Sequence, residues 1–188
     1  VGDSKISCYH GSSHGQVSFQ KSFAKSCNSS FANIGMSLDR EAFQETLNDL
    51  LFNKDLPLTL NYAKSSAIVS ESTPSSEMMQ TSIGQGKTQI TPMHLNMITC
   101  AIANDGVLMK PYVIDHVEND EGTVVKSFKA SEYGRLMTED ESAILKQLMT
   151  DVVEEGTASK LRGLNYTAAG KTGSCLLYTS DAADEARS

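Results

Sequence analysis

The periodicity of the apolar residues changes at Asn104-Asp105-Gly106, and that change constrains the fold more than any other feature of the sequence. Before it, apolar side chains recur three or four positions apart, the spacing of helices buried along one face. After it, residues 112–117 and 123–128 read as strands joined through Asn119-Asp120-Glu121-Gly122, a hairpin signal, and helical spacing then returns. Helices first, then mixed strands and helices, predict an α+β fold.

Within this frame the breakers set the limits of the elements. A helix is expected over 17–25, interrupted by Ser26-Cys27-Asn28 and resumed over 29–36. Ser37 or Asp39 caps the next helix, which places Phe43, Leu47, Leu50 and Leu51 on one core-facing side. Residues 53–76 are rich in Ser, Pro and Thr without a period and read as a long loop, with a short hairpin at 67–70. Thr91-Pro92 joins an N-cap to a proline at the first helical position and opens a buried helix through Met97, Ile98, Ala101 and Ile102. Met78, Met79, Met93 and Met97 read as core filling near it. Thr138-Glu139-Asp140-Glu141 is a capping box, and its helix turns Ile144, Leu145, Leu148, Val152 and Val153 inward before stopping at Gly156. Residues 166–174 read as a strand that contains Gly170 and Gly173.

Charge and composition remove several classes of function. With 16 Lys and Arg against 23 Asp and Glu the net charge is -7, so no basic field exists for a nucleic acid backbone, and no nucleic acid partner is expected. The chain is 39% hydrophobic and 21% charged, enough to fold around a core. No apolar run approaches the roughly 18 to 20 residues that cross a bilayer. Cys8, Cys27, Cys100 and Cys175 form no C-x-x-C pair and are too sparse for a disulfide scaffold. Cys8, His10, His14 and Cys27 imitate a zinc set, but their spacing is not a usual ligand spacing, so no metal and no cofactor are expected. Gly86-Lys87-Thr88 and Gly170-Lys171-Thr172 look like the tail of a phosphate-binding loop, yet Thr81 and Asn165 stand where its first glycine belongs.

Two short motifs carry possible chemistry. Lys171-Thr172-Gly173, followed by Ser174, puts a cation and two hydroxyls on a segment whose glycines let a peptide backbone approach, as a carboxylate-binding strand requires. Alone it also reads as an exposed lysine beside a turn. Ser26-Cys27-Asn28 offers a hydroxyl and an amide side by side at a helix break, suited to passing a proton and orienting a carbonyl. Alone it also reads as a helix cap.

Their order and the text between them add more. Ser26-Cys27-Asn28-Ser29-Ser30-Phe31-Ala32, Ile83-Gly84-Gln85-Gly86, Thr91-Pro92, Ala103-Asn104-Asp105-Gly106, Pro111, Gly156-Thr157-Ala158 and Ala169-Gly170-Lys171-Thr172-Gly173-Ser174 together resemble the transpeptidase domain of penicillin-binding proteins. The resemblance covers residues 8–174. It implies an incomplete serine β-lactamase-like fold, a helical subdomain with part of an antiparallel sheet, and a parent protein that cross-links peptidoglycan stem peptides through a serine acyl-enzyme. Hydrolases on the same fold, a D,D-carboxypeptidase or a β-lactamase, and a non-catalytic β-lactam sensor are the alternatives. By resemblance Ser26, Asn28 and Lys171 are catalytic, and Thr172, Gly173 and Ser174 bind substrate, with the Ser174 N–H supplying half of an oxyanion hole. The family's nucleophile sits in an S-x-x-K motif some tens of residues before S-x-N, which puts it upstream of Val1. Ser18-Phe19-Gln20-Lys21 and Ser22-Phe23-Ala24-Lys25 match that pattern formally, but they leave no chain for the intervening helices and read as solvated helix faces. The implied partners are stem peptides ending in D-Ala-D-Ala, β-lactams and cell-wall synthesis proteins. The implied location is the outer face of the bacterial cytoplasmic membrane, through an anchor outside this segment.

The chain is thus read as a fragment cut at both ends, with residues 1–174 a partial transpeptidase domain. Residues 175–188, from Cys175-Leu176-Leu177-Tyr178 onward, break the preceding texture and resemble the translation of a sequencing-library adaptor, so they are set apart as a tail without function. Without them the charge balance stays acidic.

Overall fold

The structure is a computed structural model and describes residues 6–8 and 11–173. The tail at 175–188, Ser174 and His10 lie outside the described residues.

Helix α1 (Phe19–Ala24) starts where the Ser18 hydroxyl accepts the Lys21 N–H, and α2 (Asn28–Ser37) follows after a break at Ser26, whose φ is 50°. Two backbone bonds hold the break, Ser26 N–H to the Phe23 carbonyl at 3.1 Å and Cys27 N–H to the Ser22 carbonyl at 2.9 Å. Ser22 is not on a solvated face: it is buried, and its hydroxyl donates to the Phe19 carbonyl at 2.7 Å. Helix α3 (Arg40–Asp49) is capped by Asp39, which accepts the Ala42 N–H at 2.9 Å. Leu47 and Leu51 are buried as expected, with Phe43 and Leu50 packed partly buried beside them.

The long loop is organised by a side chain where the sequence suggested a hairpin. Asn53 clamps Ala67 from both sides, Nδ2 to the carbonyl at 2.7 Å and Oδ1 from the N–H at 3.1 Å, while Ser66 bridges to Gln89. With its backbone groups engaged there, the segment 67–70 has no hairpin to make. Within the stretch read as loop begins α4 (Ser75–Ser82), whose N-cap is Pro74 and which buries Met78, Met79 and Thr81. It packs on α2 where Gly35 meets Ser82, so closely that a Cβ on Gly35 would lie 1.7 Å from the Ser82 hydroxyl oxygen.

Helix α5 (Pro92–Ala103) begins as predicted, with the Thr91 hydroxyl accepting the His94 N–H at 3.2 Å. Met97 and Ala101 are buried, but Met93 is exposed and fills no core. Strands β1 (Val107–Met109) and β4 (Glu132–Arg135) pair antiparallel, and β2 (His116–Glu118) and β3 (Val124–Ser127) form the expected hairpin. The described residues therefore contain two separate two-stranded antiparallel sheets. Helix α6 (Glu139–Glu154) opens on a complete capping box between Thr138 and Glu141 and buries Leu148, Val152 and Val153. Ile144 is 59% exposed, because its position faces away from α1 and α5, against which α6 packs.

Two adjoining cores hold these elements, one around Leu51, Leu56, Met97, Ala101, Leu108 and Leu136, the other around Leu47, Phe52, Ala67, Val69 and Met78. After α6 the chain turns at Gly156 against α1. A Cβ there would lie 2.2 Å from the Ala24 carbonyl oxygen, which also accepts the Thr157 N–H at 3.1 Å. A single 3-10 turn (Ser159–Leu161) leads to residues 166–173, which run without strand assignment. No described strand pairs with this segment, and Gly170 N–H instead donates to the Met149 carbonyl of α6 at 3.0 Å. The architecture is α+β.

Candidate functional site

Five separate stretches line one cleft of about 1060 Å³, among them residues near Cys8 and His14 and the single residue Thr157. The helix break at Ser26, the turn after α4 at Ile83, Gly84 and Gln85, and the segment Lys171, Thr172 and Gly173 all line it. Close approach of α1 to the end of α6 carries the Lys171 segment to Ser26, because the Gly156 turn admits the Ala24 carbonyl.

Lys171 Nζ donates to Ser26 Oγ and to the carbonyl of its neighbour Thr172, the latter at 3.0 Å. The ammonium also lies over the Phe23 ring at 5.8 Å. Burial holds its pKa below the ordinary lysine value, since a half-desolvated ammonium is disfavoured relative to the amine. Ser26 Oγ stands 3.4 Å from Thr172 Oγ1, which in turn lies 2.6 Å from Thr157 Oγ1. A lysine, two threonines and a serine thus form one hydroxyl and ammonium chain.

Asn28 lines the same cleft, but its Nδ2 donates to the Ser7 carbonyl at 3.1 Å. No described bond joins it to Lys171. Gly173 lines the cleft as well, whereas Ser174 lies outside the described residues. Ser18 and Ser22 do not line it, one capping α1 and the other buried against Phe19. Lys25 does, although its Nζ is engaged by the Glu155 carbonyl.

Thr157 was not singled out from the sequence as a site residue. Its signal was there in Gly156-Thr157-Ala158, where only the glycine has an evident steric duty, leaving the hydroxyl unexplained. Cys8 and His14 also reach the cleft. Burial raises the Cys8 thiol, but hydrogen bonds from Ser29, Cys27 and Asn28 more than offset this and leave it below the ordinary thiol value.

The electrostatics of the cleft oppose those of the chain. No Asp or Glu appears among its described lining residues, while Lys25 and Lys171 both do, in a chain of net charge -7. Such a pocket suits a ligand that carries a carboxylate.

The family model for the penicillin-binding protein transpeptidase domain matches residues 1–187. The chain belongs to that family. Among relatives of the domain, the peptidoglycan D,D-transpeptidase PbpA of Mycolicibacterium smegmatis is 28% identical over 160 residues, covering 84% of this chain and 32% of its own length. Penicillin-binding protein 3 of Bacillus subtilis is 27% identical over 167 residues, 88% of this chain and 24% of its own. This chain therefore spans a third or less of the curated relatives it matches. Among solved structures, the crystal structure of PBPA from Mycobacterium tuberculosis superposes with a TM-score of 0.73 at 25% identity, covering 84% of this chain and 37% of that one. The imipenem acyl-enzyme complex of penicillin-binding protein A from M. tuberculosis gives a TM-score of 0.83 at 23% identity, over 94% of this chain and 41% of that one, a likeness of fold. No helix among the described residues is long and apolar enough to cross a membrane.

Proposed function

We propose that the protein containing this chain is a penicillin-binding peptidoglycan D,D-transpeptidase. It attacks the D-Ala-D-Ala end of a stem peptide with a serine, releases D-Ala and passes the acyl group to a neighbouring amine. The observation that carries this reading is the hydrogen bond from Lys171 to Ser26 inside a cleft without a described carboxylate.

An ammonium whose pKa is lowered by partial desolvation gives up its proton more readily than a lysine free in water. In the proposed reaction Lys171 and Ser26 act together as the carrier that delivers a proton to the departing amine. When charged, Lys171 grips the substrate's terminal carboxylate with the Thr172 hydroxyl, a charge-assisted pair. Gly173, without a side chain, lets the substrate backbone lie against the segment, and the Ser174 N–H contributes to the oxyanion hole. Asn28 orients the substrate amide after exchanging its bond to the Ser7 carbonyl. The acylating serine is assigned to chain preceding Val1, because Ser18 and Ser22 are both engaged away from the cleft.

That relatives by fold are solved as acyl-enzyme complexes with imipenem and ceftriaxone supports β-lactams as ligands of the same site. Peptidoglycan as substrate supports action outside the cytoplasmic membrane, with the parent protein anchored there and working beside other cell-wall synthesis proteins. The test uses the full-length gene product and fluorescent penicillin. Lys171→Ala and Ser26→Ala should each slow acylation by about 10²–10⁴-fold, the usual worth of a positioned acid or base, with the far-UV circular dichroism of the folded protein retained. Rates within twofold of the parent would overturn the assignment. Release of D-Ala without transfer to an added amine would make the enzyme a carboxypeptidase.

A further inference from the structure

We propose that Cys8, His14 and Cys27 are ligands of a thiophilic divalent cation of the zinc(II) class, held in the wall of the cleft beside Ser26. One ligand atom from each residue lies within 4.8 Å of the other two. The two sulfurs are 3.7 Å apart. A tetrahedral ion with metal–sulfur bonds of about 2.3 Å has a sulfur–sulfur edge of about 3.8 Å, so the thiols already stand at the required separation. A disulfide needs about 2.05 Å and would draw them together by some 1.7 Å.

His14 supplies a second and independent observation. Its Nδ1 is buried without a hydrogen-bond partner, an uncommon state for a polar atom and one that a bound ion relieves. Both thiols are buried, and hydroxyls support them: Ser30 Oγ donates to the Cys27 sulfur at 3.2 Å, and Ser29 Oγ stands 3.7 Å from the Cys8 sulfur. Outer contacts of this kind orient metal-bound thiolates. On binding, the two thiols release their protons, and the resulting thiolates balance the charge of the ion. Three protein ligands leave a fourth position, which opens to the cleft, since Cys8 and His14 both line it.

The sequence hides this set because the ligands fall as C-x5-H-x12-C, with the helix break between the last two. The fold closes the gap when Cys27, the N-cap of α2, turns its sulfur toward Cys8 with no capping bond of its own. The ion would tie Cys8 and His14 to the start of α2, where Ser7 already holds Asn28. It would therefore fix the Ser26-Cys27-Asn28 turn from behind. The site does not depend on the proposed reaction.

The experiment uses the whole 188-residue chain, reduced and anaerobic, with Cys100→Ser and Cys175→Ser so that no other thiol competes. Cobalt(II) is the probe, with zinc(II) as competitor. The expected result is one cobalt per chain, with thiolate charge-transfer and tetrahedral visible absorption, displaced by zinc. His14→Gln, at a half-buried position without other described bonds, should keep the far-UV circular dichroism and weaken cobalt at least about tenfold. Cys8→Ser should abolish the charge-transfer band. Absence of tetrahedral cobalt at stoichiometric metal, or undiminished binding by His14→Gln, would overturn the proposal. So would a Cys8–Cys27 disulfide, found by mass spectrometry without reductant, that excess zinc does not prevent.

Discussion

Ser26 occupies a left-handed backbone conformation at φ 50°, which for a residue with a Cβ costs of order 1–3 kcal/mol and persists only where surrounding bonds enforce it. The helices on either side and the bonds at Phe23 and Ser22 do so, and the result is a hydroxyl presented to Lys171 in place of another helical turn. Lys171 itself should titrate below 10.5, the ordinary value, because burial disfavours its charge. Carbon-13 shifts at its Cε followed against pH in the 188-residue chain would report this, and a midpoint at or above 10.5 would refute it. The sign for stability is the reverse of the usual lysine pair. Between the depressed folded value and 10.5 the unfolded chain holds a proton that the folded chain has released, so stability rises with pH across that window. Below the window the charged ammonium opposes folding by a constant amount, kept small by its exposure to solvent. Which residue types formed the site could be read from the sequence, as Ser26 and Lys171 were. Which pairs would touch could not, because Asn28 turned to a backbone carbonyl and Thr157 joined through a turn whose closeness no local pattern encodes.

At the scale of elements, helices with explicit caps were legible and elements defined by their partners were not. Thr91, Asp39 and Thr138 each announce a helix because a side-chain acceptor at the N-cap is a local interaction. Helix α4 begins at proline within a Ser- and Thr-rich stretch and exists because Met78 and Met79 are buried, a tertiary cause. Residues 166–174 read as a strand from their composition, but a strand is completed by a neighbour, and no described strand lies beside the described part, 166–173. Two predictions belong here. Gly156→Ala should destabilise the fold by about 1–3 kcal/mol, since its Cβ would meet the Ala24 backbone at 2.2 Å, whereas Gly170→Ala, with nothing within 4 Å of its Cβ, should change stability little. Urea midpoints decide between a steric and a purely conformational role for Gly156. Thr138→Ala should cost about 1 kcal/mol through loss of the α6 cap. Its partner Glu141 is held below the ordinary value of 4.5 by the Thr138 backbone and hydroxyl bonds, so its contribution is present above 4.5 and is lost as pH falls through the lower folded value. Glu141→Gln should therefore flatten part of the acid limb of the stability curve, and an unchanged limb would remove the capping box as its source.

For the molecule as a whole, the decisive question is whether this chain can form an acyl-enzyme unaided. The cleft brings together Ser26, Lys171 and Thr172, yet neither serine of the formal S-x-x-K matches faces it. Ser22 is 1% exposed and its hydroxyl is committed to the Phe19 carbonyl, so attack would first require breaking that bond and opening α1. Ser18 spends its oxygen on the Lys21 N–H, and its removal would fray the helix that carries Phe23 beneath Lys171. The 188-residue chain should thus remain unlabelled by fluorescent penicillin, while a longer gene product carrying the upstream segment should be labelled at a serine before Val1. Peptide mapping of the labelled protein settles the location. Covalent label on Ser18 or Ser22 would mean that the cleft rearranges far more than its bonds suggest, and that the proton carrier assigned to Ser26 and Lys171 serves a nucleophile four to eight residues away from it in sequence.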